Sequence, residues 1–142
     1  MRAGDIVFVR GHTPISTIIR LFDKGEFSHV SVAVSPTHVI EAEWSTKVRI
    51  APVHYEDYKV IDLGLSEQQR DLIVHFAIQL VGLKYDFLSI LGILFNKEWN
   101  SPQAKICTEI VVSVLMGIGY LEKEMFLKPN ELYRFLTKKE NK

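Results

Sequence analysis

The sequence predicts an α+β fold in which an antiparallel sheet packs against a buried helix carrying a cysteine at its N-terminus. Three observations lead there. Short apolar runs with period-two alternation, broken by turn residues, fill the first half of the chain, and helical patterns with capping signals fill the second. The only cysteine, Cys107, stands where the polar stretch 96–105 gives way to the apolar segment 110–116, closed by Gly117 and Gly119. At 142 residues the chain is one domain, read as 1–137 with a disordered tail from Lys138 to Lys142.

Taken in order, Ile6-Val7-Phe8-Val9 follows the turn residues Gly4-Asp5 and reads as a buried strand. Thr13 caps and Pro14 opens a short helix in which Ile15, Ile18, Ile19 and Phe22 repeat at helical spacing. The run from Phe27 to Val34 alternates as a strand. Val30, Val32 and Val34 take one face, His29, Ser31 and Ala33 the other. The small pair Ser31 and Ala33 predicts a helix lying close on that second face, beside the imidazole. Ser35-Pro36-Thr37 turns into a strand on which Glu41 and Glu43 share a face. A three-residue loop places both carboxylates on the face of His29, with Glu43 directly across and Glu41 on the diagonal, whereas a two-residue loop would turn both to the other face. Strands at 48–51 and 59–63, joined by a loop at 52–57, complete the sheet.

Ser66-Glu67-Gln68-Gln69 is a capping box, opening a helix to about Val81 with Leu72, Ile73, Phe76, Ala77 and Leu80 facing inward and His75 in solvent. Gly82 ends it. The segment 87–95 is apolar nearly all round, either core or a ligand surface, with core favoured. Pro129 starts a last helix with Leu132, Phe135 and Leu136 inward.

Composition removes several function classes. Lys+Arg and Asp+Glu number 17 each, and no basic stripe is present, so nucleic-acid binding is disfavoured. One cysteine rules out a disulfide framework or a cysteine-cluster zinc site, and no metal or cofactor is expected. No apolar run reaches the ~20 residues that span a bilayer. The N-terminus lacks a secretory signal pattern, which points to a cytoplasmic protein. The oligomeric state is left open.

The chemistry centres on Cys107. A free cysteine is often just a small buried hydrophobe. A cysteine at a helix N-terminus differs, because unpaired N–H groups and the macrodipole favour the thiolate, which is the nucleophilic form. His29 is the candidate base.

The residues also resemble a known family, the NlpC/p-sixty superfamily of papain-like cysteine amidases and peptidases, in its circularly permuted, YiiX/YaeF-like branch. Gly4-Asp5-Ile6-Val7-Phe8, Ser28-His29-Val30-Ser31-Val32 and Val39-Ile40-Glu41-Ala42 come first, and Gly82-Leu83-Lys84-Tyr85-Asp86 and Ile106-Cys107-Thr108-Glu109-Ile110-Val111 come last, the reverse of the unpermuted order. The resemblance implies Cys107 as nucleophile, His29 as general base and Glu41, rather than Glu43, as the group that orients the imidazole; a bulge near Ser35-Pro36 would shift the register to suit, and a charge-assisted bond requires about 2.7–2.9 Å. It further implies Tyr85 and the Cys107 backbone N–H as oxyanion donors, with Thr108, where the family usually has Ser, beside them at the substrate. The leading expectation is a thiol amidase or peptidase acting through an acyl-enzyme on a small peptide such as a cell-wall fragment. A lipid-acyl hydrolase or acyltransferase of the lecithin–retinol acyltransferase-like type, suggested by the apolar run 87–95, is the first alternative. A non-catalytic binding module that retains the fold is the second.

Overall fold

The computed structural model describes residues 1–42, 47–83, 102–123 and 127–140. The fold is α+β, with an open five-stranded antiparallel sheet and, among the described residues, four helices. The strands are β1 (Ile6–Val9), β2 (His29–Ala33), β3 (His38–Glu41), β4 (Arg49–Pro52) and β5 (Tyr58–Ile61), in the order β4-β3-β2-β1-β5. The helices are α1 (Pro14–Asp23), α2 (Glu67–Leu80), α3 (Pro102–Gly117) and α4 (Pro129–Glu140). Among the described residues the expected strands and helices form, within a few residues at their ends.

Local chemistry accounts for the helix starts. Thr13 Oγ1 accepts from the Ser16 N–H with Pro14 in the first turn, and the Ser66 box closes in both directions, Ser66 Oγ accepting from Gln69 N–H and Gln69 Oε1 from Ser66 N–H. The side chains of the apolar repeat of α1 lie outside the described set.

One face of the sheet forms the main core: Ile6, Phe8, Val30, Val32, Ile40 and Ala42 cluster with Cys107, Val111, Val114 and Leu115 of α3 and with Leu132 and Leu136 of α4. Cys107, Ile110, Val111, Val114, Leu115 and Ile118 recur at helical spacing and are all buried. Each such aliphatic side chain contributes roughly 1.5–3 kcal/mol by leaving water. The opposite face carries a smaller cluster of Val7, Val9, Ala33 and Val39, covered by Val53 and Tyr55 from the loop after β4.

Gly4 lets β1 run close under α2. Its φ is +90°, and a Cβ there would lie 2.8 Å from the Cδ1 atoms of both Ile73 and Leu65. Next to it, buried Asp5 accepts from buried Arg70 of α2 at 3.0 Å, and Arg70 also donates to Asp62 and to the carbonyls of Ala3 and Leu65. The Gly4-Asp5 pair is thus an anchor for α2.

Four expectations are corrected. Ser31 and Ala33 do not lie beneath the cysteine helix: α3 joins the core on the Val30/Val32 face, and the two small residues make room for Tyr55. Leu72 is exposed, because the inward stripe of α2 is centred on Ile73 and Ala77. The polar stretch before Cys107 is helical from Pro102. Lys138 and Lys139 belong to α4, which runs to Glu140 where a disordered tail was expected.

Candidate functional site

His29 is the first residue of β2, and its position is set from both sides. Before it, Phe27 is held by Asn130 of α4, whose Oδ1 accepts from Phe27 N–H at 2.9 Å and whose Nδ2 donates to the Phe27 carbonyl at 2.9 Å. Ser28 then bonds Val9 through its N–H and accepts from Gly11 N–H at its hydroxyl. After it, the β1–β2 pairing sets Val9 opposite His29. The imidazole is therefore held at one end of a central strand with little freedom to swing.

Glu41 ends β3. The hairpin closes through the three residues Ser35-Pro36-Thr37, with Val34 N–H bonding His38 C=O and Val32 opposite Ile40. That register carries Glu41 opposite Ser31, on the diagonal to His29, and no bulge is needed. From there the fully buried carboxylate still reaches the ring, with Glu41 Oε2 3.3 Å from His29 Nε2. This is longer than the expected 2.7–2.9 Å, because the same oxygen also accepts from the Tyr55 hydroxyl. Arg49, directly across from Glu41 on β4, donates to the other oxygen at 3.1 Å, and His54 Nε2 lies 3.9 Å from it.

Cys107 completes the group. It is 1% exposed, and its sulfur is close enough to His29 to help raise the imidazole. With Nε2 turned to Glu41 and Tyr55, the buried Nδ1 has no hydrogen-bond partner among the described residues and is the ring nitrogen open to a proton from the thiol. The cysteine is the sixth residue of α3, not in its first turn. Its N–H therefore lies beyond the four unpaired amides of the helix start. The macrodipole also fades within the first turn, which makes the imidazole the nearer source of positive charge.

The electrostatics agree. Burial by itself pushes the His29 imidazole down, but its hydrogen bonds to Cys107 and Glu41 outweigh that and carry it up to about 10. Burial pushes the Glu41 carboxyl up, and the bonds from His29, Tyr55 and Arg49 overcome it, bringing it down to about 2. The two shifts favour a charged imidazole beside a charged carboxylate.

A cleft of about 580 Å³ opens beside His29, between Gly11, Thr13 and Ser16 on one wall and Tyr55, Glu56 and Asp57 on the other. Thr108 is buried next to Cys107 in α3. Tyr85, Glu43 and the apolar run 87–95 lie outside the described residues. Sequence reasoning missed Tyr55, which sits in an aperiodic loop, and Arg49, whose opposite charge across from Glu41 becomes informative once the β3–β4 register is known.

Fold and site together define an α+β protein with a buried Cys-His-Glu group at one end of an antiparallel sheet. Among solved structures the chain is similar to the crystal structure of the metalloprotein YiiX from Escherichia coli O157:H7, with 23% identity and a TM-score of 0.60 over 84% of this chain and 67% of that one. A likeness at that identity bears on the fold. No protein-family model and no curated protein sequence matches the chain. Among the described residues no three His, Cys, Asp or Glu side chains converge to hold a metal ion, and the Glu41 oxygen not facing His29 is already held by the Arg49 guanidinium. Nor is any helix among the described residues long and apolar enough to cross a membrane.

Proposed function

We propose that this chain is a thiol hydrolase of the permuted papain-like, NlpC/p-sixty type, cleaving an amide bond in a small peptide such as a cell-wall fragment through an acyl-enzyme. The observation that carries the reading is the contact of Cys107, His29 and Glu41, brought from three separate elements into one buried relay. The YiiX-like fold supports it.

His29 Nδ1 takes the thiol proton, and the thiolate so formed is the attacking form. Sulfur adds to the carbonyl carbon, the C–N bond breaks, and the imidazolium gives its proton to the departing amine. Water, deprotonated by the now neutral ring, then releases the acid and restores the thiol. Glu41 holds the ring in one orientation and stabilises its charged form throughout. Tyr85 is the proposed oxyanion donor, and Thr108 the neighbour of the nucleophile at the substrate.

Thr13, Ser16, Glu56 and Asp57 around the cleft beside His29 offer hydrogen-bonding partners that suit a peptide. An acyl-lipid substrate is the outcome to be tested against it. A peptidyl chloromethyl ketone is expected to label Cys107 in the wild type and at least tenfold more slowly in His29→Gln, with muropeptide protecting and phospholipid vesicles not protecting. Protection by the vesicles alone would transfer the reading to lipid chemistry. A folded protein that takes no label would be a binding module.

A further inference from the structure

We infer that Tyr55 is a positioning residue of this site, which holds Glu41 as an ionised acceptor and thereby sets the ring of His29. The inference rests on the Cys107–His29–Glu41 reading, but its test needs no turnover.

The Tyr55 hydroxyl donates to Glu41 Oε2 and lies 3.3 Å from both His29 Nε2 and Ser31 Oγ. A phenol has one proton, and the carboxylate is the strongest acceptor of the three, so the proton points to Glu41. The phenol oxygen is then turned to the imidazole. His29 Nε2–H thus sits between two acceptors, Glu41 Oε2 and Tyr55 Oη. That arrangement favours the tautomer protonated on Nε2 and leaves the Nδ1 lone pair free to take the thiol proton.

The fold makes room for this contact. Tyr55 comes from the β4–β5 loop, packs over Ala33 and Val39, and meets the His29 ring edge-on with centroids 5.7 Å apart. A large side chain at position 31 or 33 would lift it away. Among the described residues, the charged and titratable groups facing Glu41 are His29 from β2, Arg49 from β4, and His54 and Tyr55 from the loop. Arg49 occupies the other oxygen, so Tyr55 and Arg49 fix the carboxylate from two sides.

The test follows Glu41 by carbon-13 carboxyl NMR, assigned through Glu41→Gln, over the pH range in which near-ultraviolet circular dichroism shows each protein folded. In Tyr55→Phe the titration midpoint of Glu41 is expected to rise by about one pH unit or more, the scale of one lost hydrogen bond to a charged acceptor. Cys107 alkylation by iodoacetamide at pH 7 should fall at least severalfold. Site-specific 3-fluorotyrosine at position 55, a stronger donor of nearly the same shape, should move the midpoint the other way, and it keeps the question answerable if Tyr55→Phe fails to fold. An unchanged midpoint in both variants would overturn the assignment. A shifted midpoint in a protein whose Cys107 takes no acyl or peptidyl probe would leave Tyr55 in place and remove the hydrolase reading instead.

Discussion

Glu41 combines features that burial alone would forbid: a fully buried carboxylate is ionised because His29, Tyr55 and Arg49 surround it. Replacement by Gln keeps the shape and removes the charge. Glu41→Gln is expected to lower kcat/KM by about 10²–10⁴-fold, the range seen when an imidazole loses its orienting carboxylate, and to cost far more than Glu43→Gln. Steady-state kinetics on both variants checks this ranking. The same group links stability to pH. Glu41 is shifted down, so its contribution is complete above the ordinary value of 4.5 and is lost as pH falls toward about 2. His29 is shifted up, so its contribution is complete below 6.5 and is lost as pH rises through about 10. Urea midpoints are therefore expected to decline in both windows for the wild type, and the acid decline should be smaller in Glu41→Gln.

At the scale of elements, α4 governs where β2 begins. Asn130 is buried and bonds both backbone groups of Phe27 as well as Asp23, so Asn130→Ala would strand several buried polar groups. A loss of about 2–3 kcal/mol in urea unfolding is expected, with slower Cys107 alkylation because His29 lies two residues on. What was readable in the chain tracks what is local. Thr13-Pro14, the Ser66 box and the alternation of β2 rest on neighbouring residues, and the elements they announce form as expected. Cys107 was misplaced because Gln103 and Lys105 resemble a polar loop, although Pro102 is an ordinary first-turn residue. Tyr55 and Arg49 could not be found the same way. Their roles depend on strand register and on a loop folding back over Ala33, neither of which leaves a periodic trace.

For the whole molecule, the sheet divides the labour. One face builds the core with α3 and α4, and the other holds the Glu41–Tyr55 network, with His29 at the strand end where the two meet. The Arg70–Asp5–Asp62 cluster joins α2 to the start of β1 and the end of β5. Arg70→Ala leaves the buried Asp5 carboxylate without its cation and is expected to cost about 3–5 kcal/mol, whereas Arg70→Met with Asp5→Leu should recover much of that, as unfolding by urea would show. The central claim is that His29 activates Cys107. Since this is the only cysteine, alkylation reads it directly. The decisive measurement is the iodoacetamide rate from pH 5 to 9 in wild type and His29→Gln. The wild type should react at a rate that stays high into the acid range, and His29→Gln at least tenfold more slowly at pH 6. Superimposable profiles would contradict the account.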